Sequence, residues 1–328
     1  MDKNKNVEPL LNEKRILVTG GAGFIGSHLV DELLARGHSV TVLDNLSSGI
    51  LENLGGHKLL KFVQGDISDL NLVDRLVEHS DLVFHLAEYI PTTKSFGSGH
   101  VVKFSVDAPL QDFDVSARGT LIVLNSAKKY SKKFVFTSTA AVYGESTSLL
   151  KESSQPMPIS PYGVSKLCAE EYVRLYSRIH SLPVSIVRFF NVYGPRQLKY
   201  IMYDLLLKVK ENPDYIEMLG TGEEMRDFVY VADAVKALLL VSQDEFAVGE
   251  VYNVASGQQT RIRELVDALL KVYGAHPIVN FKGSSWKGDV KHLVADISKI
   301  SAIGYQPSYC LESGLQKFVS WFKSKEQT

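Results

Sequence analysis

The sequence contains few cysteines and no long uninterrupted run of apolar residues. Cys168 and Cys310 are the two cysteines among 328 residues, and they do not form a C-x-x-C pair. Neither a disulfide framework nor a metal site is therefore predicted, and a reducing cytoplasm is the expected location. No stretch reaches the roughly 18 apolar residues that a membrane span needs. The polar segment 1–14 lacks the apolar core of a signal peptide, and we expect it to be a short tail.

An excess of either charge is also missing. Lysine and arginine number 36 against 37 aspartates and glutamates, which gives a formal net charge of −1. There is thus no electrostatic reason to expect nucleic acid or a membrane surface as a partner. Internal repeats and low-complexity segments are absent too. Hydrophobic residues make up 45% of the chain and the mean hydropathy is near zero, which predicts a soluble globular protein of one large or two fused domains.

An apolar strand, a glycine turn and a helix are predicted to follow one another near the N-terminus. Residues 16–26 read ILVTGGAGFIG, and two glycine registers fit: Gly21-x-Gly23-x-x-Gly26 and Gly20-x-x-Gly23-x-x-Gly26. Glycines permit the tight turn and let the backbone approach a pyrophosphate, while the N-terminus of the helix supplies free N–H groups. Both registers predict a dinucleotide site.

An acidic residue ends the next predicted strand. Asp44 closes the run VTVLD, about 20 residues after the glycine turn, where the adenosine ribose of a dinucleotide would lie. A carboxylate accepts hydrogen bonds from ribose hydroxyls and repels the 2′-phosphate of NADP, so NAD is the predicted cofactor. The alternative is a turn of glycines followed by a solvated aspartate without a ligand.

Predicted strands and helices alternate through the first half of the chain. This alternation predicts a Rossmann-type, doubly wound parallel sheet in an α/β fold, with a smaller mixed α/β C-terminal substrate lobe. We assign residues 1–192 to the NAD-binding domain and residues 193–328 to the substrate lobe, which is interleaved with the first. Within the first domain, a surface loop is predicted over Glu88–Ser105 and helices over Leu110–Tyr130 and Pro161–His180.

Tyrosine and lysine are four residues apart in Tyr162-x-x-x-Lys166. This spacing places them on one face of the predicted helix, about 6 Å apart along its axis. A cation beside a phenol favours the phenolate, which could then transfer a proton. The alternative is a solvated helix face. Ser138 and Thr139 end a predicted buried strand at the same edge of the sheet, which favours a catalytic site. His85 also ends a strand there, either as a base or as a hydrogen-bonded structural group.

Several further motifs occur in the order found in the extended short-chain dehydrogenase/reductase family. With the glycine turn and the tyrosine–lysine pair, they make the chain resemble that family, and within it the nucleotide-sugar epimerases and dehydratases, above all UDP-hexose 4-epimerases. The resemblance extends from Arg15 to the C-terminal helix. Its other motifs are Asp44, Gly65-Asp66-Ile67, His85-Leu86-Ala87, Ser138-Thr139, residues 188–196 (RFFNVYGPR) and residues 226–231 (RDFVYV).

The resemblance implies roles for individual residues. Tyr162 would be the acid/base, Thr139 would bind the reacting sugar hydroxyl, and Lys166 would assist catalysis and hold the nicotinamide ribose. The NAD site would comprise Gly20, Gly23, Phe24, Ile25, Gly26, Asp44, Asn45, Asp66, Ile67, Leu86, Ala87, Ser138, Tyr162, Lys166 and Phe189. The nucleotide-diphosphate sugar would be held by Asn191, Arg226, Lys287 and Asp289. Arg226 could alternatively form a surface ion pair with Asp227.

The residues after Thr139 decide which reaction the resemblance favours. Dehydratases of the family carry an Asp-Glu pair there, and decarboxylases usually carry a glutamate at the second position, whereas this chain has Ala140 and Ala141. Methyl groups cannot move protons, so 4-epimerisation of a UDP-hexose through a 4-keto intermediate, with tightly bound NAD, is the predicted activity. The alternatives are a 4-keto-sugar reductase, a decarboxylase or dehydratase, and an NAD-binding regulatory protein.

Some positions depart from the family pattern. Glu88 stands where a small residue usually follows His-Leu-Ala, and Ser116 stands where an asparagine is usual. Trp286 takes the place of an arginine that commonly binds the diphosphate, and Lys287 is its predicted substitute. The resemblance also implies a homodimer formed through the helices predicted over Leu110–Tyr130 and Pro161–His180.

Overall fold

The computed structural model describes residues 13–89, 101–284 and 290–325. The first half contains β1 (Arg15–Thr19), α1 (Phe24–Ala35), β2 (Ser39–Asp44), β3 (Leu60–Gln64), α2 (Leu70–Glu78), β4 (Leu82–His85), α3 (Val101–Asp107), α4 (Pro109–Phe113), a π-helical turn (Asp114–Gly119), α5 (Thr120–Lys129), β5 (Lys133–Thr139), α6 (Pro161–His180) and β6 (Val184–Phe189).

The second half has shorter elements. They are β7 (Asn191–Tyr193), α7 (Tyr200–Glu211), β8 (Tyr215–Met218), β9 (Met225–Arg226), β10 (Phe228–Tyr230), α8 (Val231–Gln243), β11 (Val251–Val254), β12 (Thr260–Arg261), α9 (Ile262–Tyr273), β13 (Ile278–Phe281), β14 (His292–Leu293), α10 (Ser298–Ala302) and α11 (Leu311–Lys325). No helix in the described ranges is long and apolar enough to cross a membrane.

Seven parallel strands form the central sheet, in the order β11-β6-β5-β4-β1-β2-β3. The strand order reverses between β1 and β4, which lie side by side although two strands separate them in the chain. In such sheets the crevice beyond the carboxyl ends of the strands at this switch point is where ligands bind. The predicted Rossmann-type fold is confirmed.

Both faces of the sheet are covered, because alternate side chains of each strand enter two separate cores. In β1, Val18 packs on the α1 and α8 side, while Leu17 packs on the side of α2, α5 and α6. Phe84 and Val83 divide in the same way in β4. This double burial explains why the strands are continuously apolar rather than alternating.

A third core lies in the C-terminal half. It is formed mainly by α7, α9 and α11, with Leu206, Leu265 and Phe318 fully buried. The chain nevertheless returns to the central sheet, because β11 pairs with β6 and forms one edge of it. The division into units of residues 1–192 and 193–328 stays a prediction.

One local prediction was wrong, and a second missed a local feature. Helix α3 begins at Val101, so residues 101–105 are not part of a loop, and residues 90–100 lie outside the described ranges. Val101 and Phe104 are buried at helical spacing, a signal that the preceding glycines obscured. The helix predicted over Leu110–Tyr130 is present from Pro109 to Lys129, with a π-helical turn between α4 and α5 that the sequence did not predict.

Candidate active site

One cavity of about 990 Å³ opens beyond the carboxyl ends of the central strands. It is lined by every predicted site residue that the structure describes: Gly20, Gly23, Phe24, Ile25, Gly26, Asp44, Asn45, Asp66, Ile67, Leu86, Ala87, Ser138, Thr139, Tyr162, Lys166, Phe189, Asn191 and Arg226. Lys287 and Asp289 lie outside the described residues. Residues from both halves of the chain therefore meet at a space large enough for a cofactor and a substrate.

The glycine turn forms the base of this cavity. Gly20 has a φ of +71°, and a Cβ there would lie 2.7 Å from the amide nitrogen of Ala87. A Cβ on Gly21 would clash with Val42 at 2.7 Å, whereas on Gly23 it would meet only the Gly20 carbonyl oxygen within 4 Å, at 3.1 Å. At Gly20 and Gly21 a side chain would clash with neighbouring residues, so glycine is required structurally at the first position of either glycine register. Gly23 leaves space at the N-terminus of α1.

The turn and its surroundings fit NAD. Gly23 makes no side-chain cap, and the first N–H groups of α1 have no partner within the helix, so they suit a pyrophosphate. Asp44 is buried and accepts hydrogen bonds from the amides of Ala22 (3.0 Å) and Leu46 (2.9 Å), one at each carboxylate oxygen. Each oxygen keeps a lone pair for a ribose hydroxyl. Burial raises the pKa of Asp44.

Two further groups at the cavity wall support this fit. Asp66 accepts hydrogen bonds from the Asn45 side-chain amide (2.6 Å) and the Ser68 backbone (2.8 Å), which holds its carboxylate at the end of β3. The hydroxyl of Ser138 is buried and has no hydrogen-bond partner within the described part of the chain. A buried polar atom that lines a cavity without a partner indicates that a ligand group completes it.

Strand β5 and helix α6 bring the predicted catalytic residues together. Ser160 caps α6 by accepting a hydrogen bond from the Gly163 amide (3.1 Å), and Pro161 occupies the first helical position. Tyr162 therefore lies in the first turn of the helix and Lys166 one turn later. Thr139 ends β5, where its hydroxyl accepts a hydrogen bond from the Ala141 amide (3.2 Å) and lies close enough to the Tyr162 phenol to lower the pKa of that phenol.

The ionisation of Tyr162 differs from the sequence-based expectation. Burial raises the pKa of Tyr162 well above its usual value, and the negative charge of Glu88 raises it further, as does nearby Tyr200. The hydrogen bond from Thr139 acts in the opposite direction. In the protein without ligands the phenol is therefore protonated at neutral pH.

Lys166 has a carboxylate partner that the sequence did not predict. Its Nζ lies 3.2 Å from Oε2 of Glu88, with the two side chains only 4% and 10% exposed, and 4.5 Å from the centre of the Phe136 ring. Ser116 donates a hydrogen bond of 2.6 Å to the other oxygen of Glu88. The two departures from the family pattern thus contact each other. That double departure was the only sequence signal for Glu88.

His85 is a structural group. Its Nδ1 lies 2.7 Å from the Thr19 hydroxyl and its Nε2 lies 3.0 Å from the Thr120 hydroxyl. The ring stacks on Phe134 and Phe136 in the core, and burial lowers the pKa of the imidazole to about 3. A neutral histidine that bridges two threonines away from the cavity holds β4 against β1 and α5.

Asn191 and Arg226 lie at the end of the cavity formed by the C-terminal half. The Asn191 side-chain amide donates to the Asp227 carbonyl oxygen (3.3 Å), and Arg226 donates to the Met225 carbonyl oxygen (2.9 Å). The Asp227 carboxylate is buried and accepts hydrogen bonds from Ser256 and the Gly257 amide. The carboxylate thus closes a turn in the interior of the protein and does not lie on its surface.

Sequence reasoning placed Arg196 in a motif but gave no site role to residues 196–204, which line the same cavity. Arg196 and Tyr200 both have a positive φ, of 70° and 71°, although neither is glycine. Burial lowers the pKa of Lys199 to about 8 and raises that of Asp204 to about 6. No local motif marks these residues, because tertiary packing imposes their backbone conformation.

Comparisons with known proteins agree with this geometry. The family model for the NAD dependent epimerase/dehydratase family matches residues 16–255. The UDP-glucose 4-epimerase of Mycolicibacterium smegmatis is 35% identical over 328 residues, which cover 95% of this chain and all of that protein. The UDP-N-acetylglucosamine 4-epimerase of Methanobrevibacter ruminantium, solved with UDP-N-acetylmuramic acid, has a TM-score of 0.87 at 32% identity, covering 96% and 100%. The Thermus thermophilus UDP-glucose 4-epimerase, solved with NAD, has a TM-score of 0.82 at 33% identity, covering 94% and 99%.

Proposed function

Because this chain belongs to the NAD-dependent epimerase/dehydratase family, we propose that it interconverts the C4 epimers of a UDP-hexose through a transient 4-keto sugar. The cofactor is NAD, and it stays bound throughout the cycle. The identity of the relatives, at 32–35% over nearly the whole chain, supports an enzyme of this kind.

The observation that carries the proposal is the set of side chains that directly follow Thr139 in the cavity. Ala140 and Ala141 line the cavity directly after Thr139, in a short 3-10 turn. A dehydratase needs a second acid and base at this place to remove water, and two methyl groups cannot supply them. Epimerisation at C4 requires one proton shuttle, and Tyr162 with Thr139 suffices for it.

In the proposed reaction, Tyr162, Thr139 and Lys166 would each have a separate role. Tyr162 takes the proton from the sugar 4-hydroxyl and returns it at the end of the cycle, while Thr139 orients that hydroxyl. Lys166 would hold the nicotinamide ribose. Bound NAD supplies the oxidising equivalent for C4 and, once reduced, the reducing equivalent that restores it from the other face of the sugar.

The diphosphate of the substrate is assigned to the end of the cavity near Arg226. A guanidinium offers a planar set of donors that matches phosphate oxygens, and Asn191 lies at the same end of the cavity as a further amide donor. UDP-hexoses are the proposed substrates, which the named activities of the relatives support.

Two measurements on the purified protein test this function. Desalted protein should retain NAD, detected in the supernatant after acid precipitation. Incubation with UDP-glucose, UDP-N-acetylglucosamine and the matching dTDP- and GDP-sugars, read by NMR of the products, should yield the C4 epimer of a UDP-sugar. Consumption of added NADPH with a 4-keto sugar would instead identify a reductase, and a 4-keto-6-deoxy product would identify a dehydratase.

We also propose that the protein is a homodimer. Apolar side chains are exposed on α4 and α6, which pack against each other: Leu110 is 81% exposed, Ile179 59%, Tyr172 40% and Leu175 37%. The last three recur at helical spacing and so form one apolar face. Such a face is typical of a helix-to-helix contact between two copies.

Two free cysteines further support a cytoplasmic location.

A further inference from the structure

Glu88 is a nearly buried carboxylate in the active site that the proposed chemistry does not use. It follows β4 in the chain, at the carboxyl edge of the sheet, and lines the cavity. One of its oxygens accepts the Ser116 hydroxyl at 2.6 Å, and the other lies 3.2 Å from Nζ of Lys166. It thereby links two residues that belong to different helical segments.

Local structure fixes this contact from both sides. Ser116 lies in the π-helical turn and is 1% exposed, and its carbonyl oxygen accepts a hydrogen bond from Thr120 (2.7 Å). The extra residue in a π-helical turn shifts side chains relative to a regular helix, and such turns frequently occur at functional sites. On the other side, Lys166 lies over the Phe136 ring. The carboxylate thus accepts hydrogen bonds at Oε1 from the Ser116 hydroxyl and the Tyr89 amide (3.1 Å), and its Oε2 forms an ion pair with the Lys166 ammonium.

We propose that Glu88, held by Ser116, is a positioning residue that binds the Lys166 ammonium and competes with the Tyr162 phenolate for its positive charge. A lysine without a carboxylate partner, one helical turn from Tyr162, would stabilise the phenolate with its whole positive charge. Because Glu88 contacts the Lys166 ammonium, the negative charge of this carboxylate partly neutralises that positive charge. The enzyme therefore needs a higher pH, or an additional positive charge, to form its base.

The titratable groups that face Tyr162 all shift its pKa in the same direction. Glu88 at the end of β4, Tyr200 on α7 and Asp112 on α4 all raise the pKa of Tyr162, in addition to burial, and the hydrogen bond from Thr139 lowers it. Among these, Glu88 is the carboxylate that contacts Lys166. Asp112 is engaged differently, because it accepts a hydrogen bond from Ser165 at 2.6 Å.

A titration of the phenol tests the proposal. The full chain, labelled with ¹³C at the tyrosine Cζ, is titrated by NMR, and Tyr162→Phe identifies the resonance of Tyr162. We expect Glu88→Gln to lower the midpoint of this resonance by about one pH unit, a tenfold gain in phenolate at a given pH below the midpoint. As the control, Glu171→Gln removes an exposed carboxylate from α6, the helix that carries Tyr162, and should leave the midpoint of Tyr162 unchanged.

Two more variants make the result decisive. Glu88→Asp keeps the charge and should restore most of the parent midpoint, whereas Ser116→Ala should shift it in the same direction as Glu88→Gln but by less. An unchanged Tyr162 midpoint in Glu88→Gln would overturn the proposal. If that variant did not fold, an unchanged midpoint in Ser116→Ala would do so.

This inference rests on the proposed roles of Tyr162 and Lys166, but its test does not require turnover. The titration reports the charge on a phenol whether or not any sugar is epimerised. If no UDP-sugar reacts and the midpoint still shifts, the proposed function fails and the electrostatic role of Glu88 stands. With an active substrate, the rise of kcat with pH should move to lower pH in Glu88→Gln by the same amount as the midpoint.

Discussion

Tyr162 and Lys166 lie in one helix but face different partners. The pKa of the phenol is lowered by Thr139, while the ammonium faces Glu88 and the Phe136 ring. Without a ligand the phenol keeps its proton, because burial and the neighbouring carboxylate oppose its loss. The phenolate that the proposed mechanism requires is therefore favoured by a rise in pH or by added positive charge near the phenol.

Removal of the phenolic oxygen should abolish the reaction and leave the fold intact. Tyr162→Phe loses the proton shuttle, for which general acid–base catalysis contributes about 10²–10⁴ in rate. We expect at least that loss in kcat, measured by NMR of the product, with an unchanged urea midpoint. Tyr172→Phe, on the exposed face of the same helix, is the control. Activity close to the parent in Tyr162→Phe would assign the base to another group.

The glycine turn, Tyr162 and Lys166 could be predicted because short-range spacing determines their placement. Glu88 and Ser116 were visible only as exceptions to a pattern, since their contact joins residues 28 positions apart and depends on the π-helical turn. Apolar periodicity does not distinguish a π-helical turn from an α-helix. For the same reason the predicted helix over Leu110–Tyr130 had the correct extent and the wrong internal structure.

At the scale of the elements, a buried ion pair joins α6 to β6. Arg188 donates to Glu170 through Nε (2.9 Å) and Nη2 (2.6 Å), and the two side chains are at most 1% exposed. The guanidinium also lies 4.7 Å from the Tyr143 ring centre. This contact holds α6 against the sheet.

Breaking this pair from one side should cost more than removing it. Glu170→Ala leaves a buried guanidinium without its counter-ion, which destabilises a protein by about 3–5 kcal/mol. The double variant Glu170→Met/Arg188→Met removes both charges and should be more stable than Glu170→Ala in urea unfolding. Strictly additive losses from the two single substitutions would show that the charges act independently.

A second buried carboxylate, that of Asp112, links α4 to α6 and makes the free energy of unfolding depend on pH. Burial raises the pKa of Asp112 from its ordinary 3.8 to about 6, with Glu88 adding to the effect and the Ser165 hydrogen bond opposing it. The folded state thus keeps a proton that the unfolded chain releases. Its contribution to stability is present below pH 4 and is lost as the pH rises through about 6.

Asp112→Asn removes this titration and keeps an acceptor for Ser165. Relative to the parent, the variant should gain about 2–3 kcal/mol in the free energy of unfolding between pH 4 and pH 8. Urea unfolding at a series of pH values measures the difference. Asp114→Asn, an exposed neighbour, should show no such trend, and a parent–variant difference independent of pH would contradict the assignment.

At the scale of the whole molecule, the exposed apolar face of α4 and α6 predicts the oligomeric state. A charge introduced at its centre would have to be buried at the interface without a partner, so Leu175→Glu should yield monomers. Sedimentation equilibrium should give twice the chain mass for the parent and the single mass for the variant. Ile278→Glu, at an exposed position on β13, is the control and should remain dimeric. A monomeric parent would refute the dimer.

Most of the residues that line the cavity at the sheet edge could be predicted from local sequence patterns, and some could not. Every predicted ligand-contacting residue that the structure describes lines it, since each follows from a strand end or a helix start in a fold of known topology. The backbone of Arg196 and Tyr200 and the ion pair of Lys166 with Glu88 depend on contacts between distant segments, and no local pattern encodes them.

The last strand of the sheet has a consequence for synthesis. During translation, β6 is the open edge of a six-stranded sheet until Val251–Val254 has been made. Residues 193–250 are thus translated while that edge is still free to pair with another chain. A protein truncated before β11 would keep this edge permanently. Because β11 follows α7 and α8 in the chain, the central sheet can be completed only after both helices have been synthesised.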